Sequence, residues 1–412
     1  MHTRCSVSFV FCPLFADSSY TTVIQRTDMT TKYLFILLQK RIHSISLTLL
    51  LLFCIPPLFC SVSGVAEMHT RGATDSIKVI DVQVVYYLPN DSIPLDDWHD
   101  RIEYLMRRAQ KFHNREFEGQ SQFNYSIYAE PFVSSSTLAG LPKDDVNKFY
   151  WYMINEVWHS GKLKFAADAF PIILLLSDNN FSPSYNDWTR VCSGEGCTFA
   201  EPHSKCAGYV NGQGEDRPGS RCGGSRSVFW PQKHIGLGLV TADGWRVPMV
   251  GSDCVVYHEG IGHSIGLPHP EPINNSIMGL AQYHGSINQT WIDEDQKLDL
   301  GWKEEDSVDH DSLFSTFSVS HAPLRPSATD SVHITASFPK RFIPTKIETE
   351  YERNIREPFQ KIGPNYTIEE DDYINISWII DPVPQGESVA YRIRIETTNG
   401  EKEELWSYYK IR

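Results

Sequence analysis

The chain has 412 residues, 41% of them hydrophobic and 21% charged, so it is long enough for two domains that each bury a core. Its formal net charge of −14 argues against nucleic acid as a partner, because phosphate binding requires a basic surface. Long charged blocks, short-period repeats and low-complexity tracts are absent, which indicates an ordinary globular protein.

The first element is a targeting segment. Residues 45–60 form an uncharged apolar run between two basic residues and several small ones, which is typical of a secretory signal peptide. The run is shorter than the ~20 residues of a spanning helix and is interrupted by Pro56 and Pro57. We therefore assign residues 1–66 to a cleaved signal, with Met29 as an alternative start. This predicts a secreted chain without a stable membrane span; a signal anchor in the membrane is the alternative.

Two further features agree with secretion. Four cysteines crowd one Gly-rich loop and indicate a disulfide-stapled loop, whereas a second zinc site would need closer pairs. Cys254 either stays unpaired or joins one of the four. Seven Asn-x-Ser/Thr sequons predict a glycoprotein. The loop cysteines are Cys192, Cys197, Cys206 and Cys222, and the sequons lie at Asn90, Asn124, Asn180, Asn274, Asn288, Asn365 and Asn375.

An alternation of strand and helix patterns follows the signal and indicates an α/β domain. The predicted strands are residues 77–88, 124–133 and 171–176, and the predicted helices are residues 96–117 and 144–158. A long polar loop is then predicted at 177–233, a further strand at 234–240 as an edge near the active site, and helices at 253–263 and 293–300.

After Trp302 the pattern changes to short strands separated by turn signals. Such spacing predicts an all-β sandwich of the immunoglobulin or fibronectin-III type over residues 303–412, with the domain boundary near 303–312. The predicted strands are 314–319, 331–338, 346–351, 373–380, 389–397 and 404–411.

The motif that carries the chemistry is His-Glu-Gly-Ile-Gly-His-Ser-Ile-Gly-Leu-Pro-His, from His258 to His269. A catalytic zinc requires neutral imidazoles, a position open to water and a nearby carboxylate. His258, His263 and His269 are the candidate ligands of one Zn²⁺ ion, and Glu259 is the candidate general base. Gly266 is expected to end the helix, so that the chain returns His269 to the metal.

The spacing His263-x-x-Gly266-x-x-His269 resembles that of the metzincin zinc proteases, and the later Ser-Ile-Met-Gly sequence around Met278 resembles their Met-turn. The resemblance implies an α/β catalytic domain over residues 67–302, with a mixed twisted sheet and an active-site helix. It also implies a protein or peptide substrate, and it places Met278 beneath the metal.

One residue departs from the metzincin pattern. His258 and His263 are five positions apart, and in an α-helix five residues advance ~500°, which puts the two side chains ~140° out of register. A π-bulge at Gly260 would restore the alignment. The insertion resembles the H-E-x-x-G-H motif of dipeptidyl peptidase III, a zinc peptidase.

Two other interpretations of the motif remain open. In a regular helix, Glu259 and His263 would share one face, so Glu259 would be a metal ligand, His258 would turn away and the general base would be lost. In the second, the motif is a glycine-broken helix with surface histidines. Tyr283 is a candidate oxyanion stabiliser, with an ordinary core or surface tyrosine as its alternative.

We therefore expect a secreted zinc metalloendopeptidase, in which Glu259 activates a zinc-bound water for attack on the peptide bond. The alternative is a catalytically inactive, metzincin-like secreted binding protein that uses the β-sandwich for recognition. The extra residue Gly260 supports this alternative, whereas the retention of Glu259 and three histidines opposes it.

Overall fold

The computed structural model describes residues 77–142, 146–179, 209–210, 216–217, 225–246, 251–272, 274–281, 286–302, 310–354, 357–362 and 367–411. All of these belong to the unit that spans Ala66–Arg412. The predicted signal segment, the four loop cysteines and Tyr283 lie outside the described residues.

The first part of the described chain is an α/β arrangement on one mixed sheet. Its strands are β1 Val79–Leu88, β2 Gln122–Ile127, β3 Phe132–Val133, β4 Phe170–Ser177, β7 Arg226–Trp230 and β8 Ile235–Val240; β5 Tyr209–Val210 and β6 Asp216–Arg217 form a separate two-stranded ribbon. The order is β2-β1-β4-β8-β7, with β3 also paired to β1. Within this six-stranded sheet, every strand pair is parallel except β7 with β8.

Helices cover both faces of this sheet, which explains the continuous apolar run in the central strand β4. Ile172 and Leu174 face one buried cluster with α1, Trp98–Phe117, whereas Ile173 faces a second cluster with α2, Val146–His159. Each of these buried side chains stabilises the fold by roughly 1.5–3 kcal/mol. The remaining helices are α3 Ala242–Trp245, α4 Ser252–Tyr257, α5 Glu294–Asp299 and α6 Leu313–Thr316.

The sheet edge differs from the sequence prediction. Strand β8, expected at the edge, is an inner strand, because β7 pairs along its outer side. β7 lies inside the segment that was predicted to be a loop. Its five residues are too few to show a sustained alternation of apolar and polar side chains. The predicted strand at 124–133 is two short strands, β2 and β3, which pair with successive parts of β1.

Two antiparallel four-stranded sheets form the C-terminal part. Side chains from both sheets share one buried cluster, including Trp378 from the first and Tyr391 from the second. The strand bounds are β9 Ser318–Ala322, β10 Val332–Pro339, β11 Pro344–Arg353, β12 Gln360–Lys361, β13 Thr367–Glu370, β14 Tyr373–Ile380, β15 Ser388–Thr397 and β16 Lys402–Lys410. The strand orders are β13-β14-β10-β9 in the first sheet and β12-β11-β15-β16 in the second. The first half of the predicted strand 314–319 is helix α6, and the short strands β12 and β13 were not predicted.

Helix α1 joins the C-terminal sheets to the α/β part. Arg101 forms an ion pair with Glu352 of β11, and both side chains are 1% exposed. One turn further, the Tyr104 ring stacks on Trp406 of β16 with 5.2 Å between ring centroids, and the Trp406 backbone N–H donates to the Tyr104 hydroxyl. The contact is therefore both apolar and charged, and it is closed to water.

The same helix also holds α4, the helix that leads into the histidine motif. Arg108 Nε lies 2.7 Å from a carboxylate oxygen of Asp253 in α4, and Arg108 also donates to the side-chain oxygen of Asn288 at 3.1 Å. Arg108 and Asp253 are almost fully buried. A buried ion pair of this kind adds little net stability while both partners are present. When one partner is removed, the other remains as an uncompensated buried charge, which is strongly destabilising.

Three of the described sequon asparagines donate hydrogen bonds from their side-chain amides. The amide of the exposed Asn90 donates to the backbone carbonyl of Ser135 at 3.0 Å. Asn288 is 2% exposed, and its amide donates to the backbone carbonyl of Phe317. The amide of Asn274 donates to both carboxylate oxygens of Asp293 at 3.0 Å. Because the Asn288 side chain is buried, the folded structure is incompatible with a glycan at that position.

Within the parts of the chain that the structure describes, no helix has both the length and the hydropathy that a bilayer span requires.

Replacing Arg108 by Met should lower the free energy of unfolding by ~3–5 kcal/mol, because Asp253 would stay buried without a counter-charge. Urea unfolding followed by circular dichroism measures this loss. The matched control is Lys346→Ala, which removes an exposed ion pair to Glu348 and should cost no more than ~1 kcal/mol. Equal losses in the two variants would contradict a special role for the buried pair.

Candidate metal centre

The active-site helix changes its winding where the first histidine begins. Helix α4 ends at Tyr257, residues His258–Gly262 form one π-helical turn, and residues His263–Ile265 continue as a 3-10 turn. We call the His258–Gly262 segment the π turn. Gly266 ends the helix in the left-handed conformation at φ +90, as the sequence predicted. The widening expected from the five-residue spacing is thus present in the fold.

The three motif histidines converge on one point. Their Nε2 atoms are 3.0 Å apart for His258 and His263, 3.1 Å for His258 and His269, and 3.2 Å for His263 and His269. Among the described residues, these three form the one group of histidine, cysteine or acidic side chains able to share a metal ion. Glu259 is not part of that group, so the arrangement differs from the one in which Glu259 is a ligand.

Backbone carbonyls select the tautomer of two of these rings. His258 Nδ1 lies 2.8 Å from the carbonyl oxygen of Ile277, and His263 Nδ1 lies 2.8 Å from that of Leu267. A carbonyl can only accept, so each Nδ1 carries the proton and each Nε2 presents a lone pair. Two lone pairs at 3.0 Å repel unless a cation lies between them. The donor set therefore fits a metal ion, and zinc is the ion that imidazole triads commonly bind.

Burial favours the neutral form of the first ligand. His258 is completely buried, and desolvation together with the neighbouring His263 and His269 holds its pKa well below the ordinary value. A metal ligand must be unprotonated, so this burial removes competition from protons at neutral pH. His269 is the exposed member of the set, which leaves the centre open on its side.

Glu259 follows His258 in the π turn, and its side chain is half-buried. Its carboxylate forms no hydrogen bond or ion pair with the described residues. A carboxylate in this condition is available to exchange a proton with water.

The segment expected to be a Met-turn lies against the π turn. Met278 is buried, and its sulfur occupies the space next to Gly262, so a Cβ on that glycine would meet Met278 Sδ at 2.4 Å. The residue before Met278 supplies the carbonyl that orients His258. Ile277 is itself held by its backbone N–H, which donates to the carbonyl of Trp291 at 2.8 Å.

The end of helix α1 supports this segment from behind. Arg115 donates to the backbone carbonyls of Asn288 and Thr290 at 2.6 and 2.5 Å, and Glu116 accepts from Lys297 Nζ at 3.0 Å. Glu116 and Lys297 are nearly fully buried. Buried charges thus hold residues 288–297 next to the metal centre.

Sequence reasoning missed one side chain beside the third ligand. Gln296 of α5 is 2% exposed, and its amide donates to the carbonyl of Pro268 at 2.7 Å, directly before His269. Helix α5 was predicted, but its short pattern does not distinguish a buried glutamine from a solvated one. His234, in contrast, follows β7 at positive φ and is not part of the triad.

No protein-family model and no curated protein matches the chain. Among solved structures, OgpA from Akkermansia muciniphila is similar at 11% identity and a TM-score of 0.31, over 84% of this chain and 97% of that one. A catalytically inactive OgpA in complex with an O-glycopeptide substrate, glycodrosocin, is similar at 10% identity and a TM-score of 0.30, over 83% and 95%. Astrotactin-2, a vertebrate-specific, perforin-like membrane protein, is similar at 10% identity and a TM-score of 0.20, over 24% and 22%. Identities and TM-scores this low leave the chemistry to be argued from this chain's own residues.

Replacing His258 by Ala should weaken zinc binding by at least about a hundredfold, since even the loss of a group that only orients a ligand weakens a metal site by 10–100-fold. Competition titration against a chromogenic chelator measures the affinity. The control is His333→Ala, which removes an exposed histidine of β10 and should leave affinity and stoichiometry unchanged. Equal binding by both variants would contradict the assignment of His258.

Deleting Gly260 should preserve zinc binding, because four-residue spacing lets an ordinary helical turn align His258 with His263. The measurement is metal content per chain after dialysis, with the undeleted chain as reference. Complete loss of metal in a chain that still folds would contradict this account of the extra residue.

Proposed function

We propose that this chain is a secreted zinc metalloendopeptidase of metzincin type. The observation that carries the proposal is the convergence of three Nε2 atoms within 3.0–3.2 Å, with a half-buried Glu259 adjacent. His258, His263 and His269 would hold one Zn²⁺ ion, and the substrate would be a protein or peptide. Secretion rests on the apolar run at residues 45–60.

His269 is the exposed member of the triad, and the substrate is proposed to approach from its side. When bound, zinc supplies a Lewis acid that polarises a carbonyl and lowers the pKa of a coordinated water. His258 and His263 keep a fixed tautomer, because the Ile277 and Leu267 carbonyls hold their Nδ1 protons. Because these two ligands are already oriented, little reorganisation of the metal ligands is needed when the reaction begins.

Glu259 moves the proton. Its carboxylate accepts a proton from the attacking water as the water oxygen bonds to the peptide carbonyl carbon. It then passes this proton to the amide nitrogen as the C–N bond breaks, so the products are a carboxylate and an amine. Tyr283 is proposed to donate a hydrogen bond to the carbonyl oxygen during these steps.

An inactive binding protein would hold zinc equally well and fail to cleave. The separating measurement is hydrolysis of casein by the purified chain, with a chelator, and after zinc is restored. Zinc-dependent cleavage supports the peptidase, whereas a zinc-loaded chain without cleavage on casein, gelatin or mixed peptides favours the binding protein.

Glu259→Gln should lower the rate of peptide hydrolysis by at least ~10²-fold, because the glutamine amide cannot accept the proton. Zinc content should stay at the wild-type level, because residue 259 is not a metal ligand. The matched control is Glu294→Gln, an exposed change in the first turn of α5, which should leave the rate unchanged. An undiminished rate in Glu259→Gln would remove the proposed base.

A further inference from the structure

Two glycines of strand β8 lie directly beneath the active-site helix. Side chains of β8 alternate between the two faces of the sheet: Leu237 and Leu239 face α2, and Val240 faces the cluster that contains α4 and the π turn. Gly236 and Gly238 are on the same face as Val240. The strand therefore has no side chain at two of its three positions on the helix side.

The helix backbone occupies the space where those side chains would lie. A Cβ on Gly238 would be 2.5 Å from the carbonyl oxygen of Gly260 and 2.9 Å from its Cα. A Cβ on Gly236 would be 2.4 Å from the carbonyl oxygen of Ser264. Backbone atoms at such distances cannot move aside as a flexible side chain can, so helix and strand pack backbone to backbone here.

One of these two close contacts involves the residue that lengthens the motif. Gly260 is the extra residue of the π turn, and its carbonyl is the group that meets Gly238. Gly260 also lies against Leu174, the β4 partner of Gly238, because a Cβ on Gly260 would meet Leu174 Cδ1 at 2.6 Å. The bulged residue is thus displaced toward the sheet, into the space between two strands.

Backbone conformation does not explain the glycines of β8. Gly236 and Gly238 lie in regular ladders with β4 and β7, and neither has a positive φ. In such strands, β-branched and aromatic residues are preferred over glycine. Close approach of another backbone is the remaining reason for a glycine in a strand.

We propose that Gly238 is a positioning residue for the metal centre. Its missing side chain leaves the space into which Gly260 bulges, and that bulge brings His258 and His263 onto one metal ion. The chemistry of this inference rests on the proposed zinc site, but the contact between Gly238 and Gly260 does not. The extra residue and the strand glycine are therefore a matched pair, and removing the first should make the second dispensable.

The test is Gly238→Ala in the intact chain and in a chain lacking Gly260. Co²⁺ affinity and the Co²⁺ ligand-field spectrum report the metal centre, and thermal unfolding in chelator reports the packing without metal. In the intact chain we expect at least ~10-fold weaker Co²⁺ binding, an altered spectrum and a lower Tm. In the deleted chain we expect less than ~2-fold change in affinity and an unchanged Tm. Gly140→Ala is the control, because a Cβ there meets only ordinary contacts at 3.4 Å or more.

Each outcome decides the question. If the Gly238→Ala variant folds only in the chain that lacks Gly260, this result also supports the pairing of Gly238 with Gly260. Equal damage in both chains, failure to fold in both, or an intact-chain variant with wild-type affinity, spectrum and Tm overturns it. A wild-type chain that binds Co²⁺ but, with zinc, cleaves no peptide refutes the peptidase and leaves the pairing standing. Zinc-dependent cleavage without the expected coupling refutes the pairing alone.

Discussion

Three imidazole Nε2 atoms meet in this protein only because one helical turn is wider than an α-helix allows. His258 and His263 are five residues apart, and a regular helix would direct them to different sides. The π turn at His258–Gly262 brings their Nε2 atoms to 3.0 Å. Carbonyl oxygens of Ile277 and Leu267 then orient the two rings. The rest of the fold around the centre accommodates or supports this one distortion.

Buried charges on helix α1 provide most of that support. Arg108 holds Asp253 at the start of α4, and Glu116 holds Lys297 behind the Met278 segment. Near the start of α1, Arg101 forms an ion pair with Glu352 of the C-terminal sheets. Such pairs add little net stability compared with apolar packing, but each is costly to break, so they favour one arrangement of the parts over others. The position of the metal centre therefore depends on contacts distant in sequence.

The distortion also sets limits on the sheet below it. A bulged residue takes up space toward the strands, and close-packed interiors hold few voids to absorb it. Glycines on both sides of the contact, Gly238 in β8 and Gly260 in the π turn, provide that space. Short strand β7 then closes the edge outside β8. The widened helical turn therefore packs on a mixed sheet of ordinary topology.

The sequence alone determined the local features: the long periodic helices α1 and α2, the buried strand β4, five of the strands after Trp302, and the widened turn demanded by two histidines five residues apart. These follow from side-chain periodicity and from helix geometry, which act over a few residues. Only the tertiary structure decided that β7 lies outside β8, that Gln296 supports the segment before His269, and that Gly238 meets Gly260. The contacts of Gln296 and Gly238 join residues more than 20 positions apart, and no local pattern encodes which segments pack together. The spacing of the histidines showed that a turn must widen, and the packing against β8 showed where its extra residue goes.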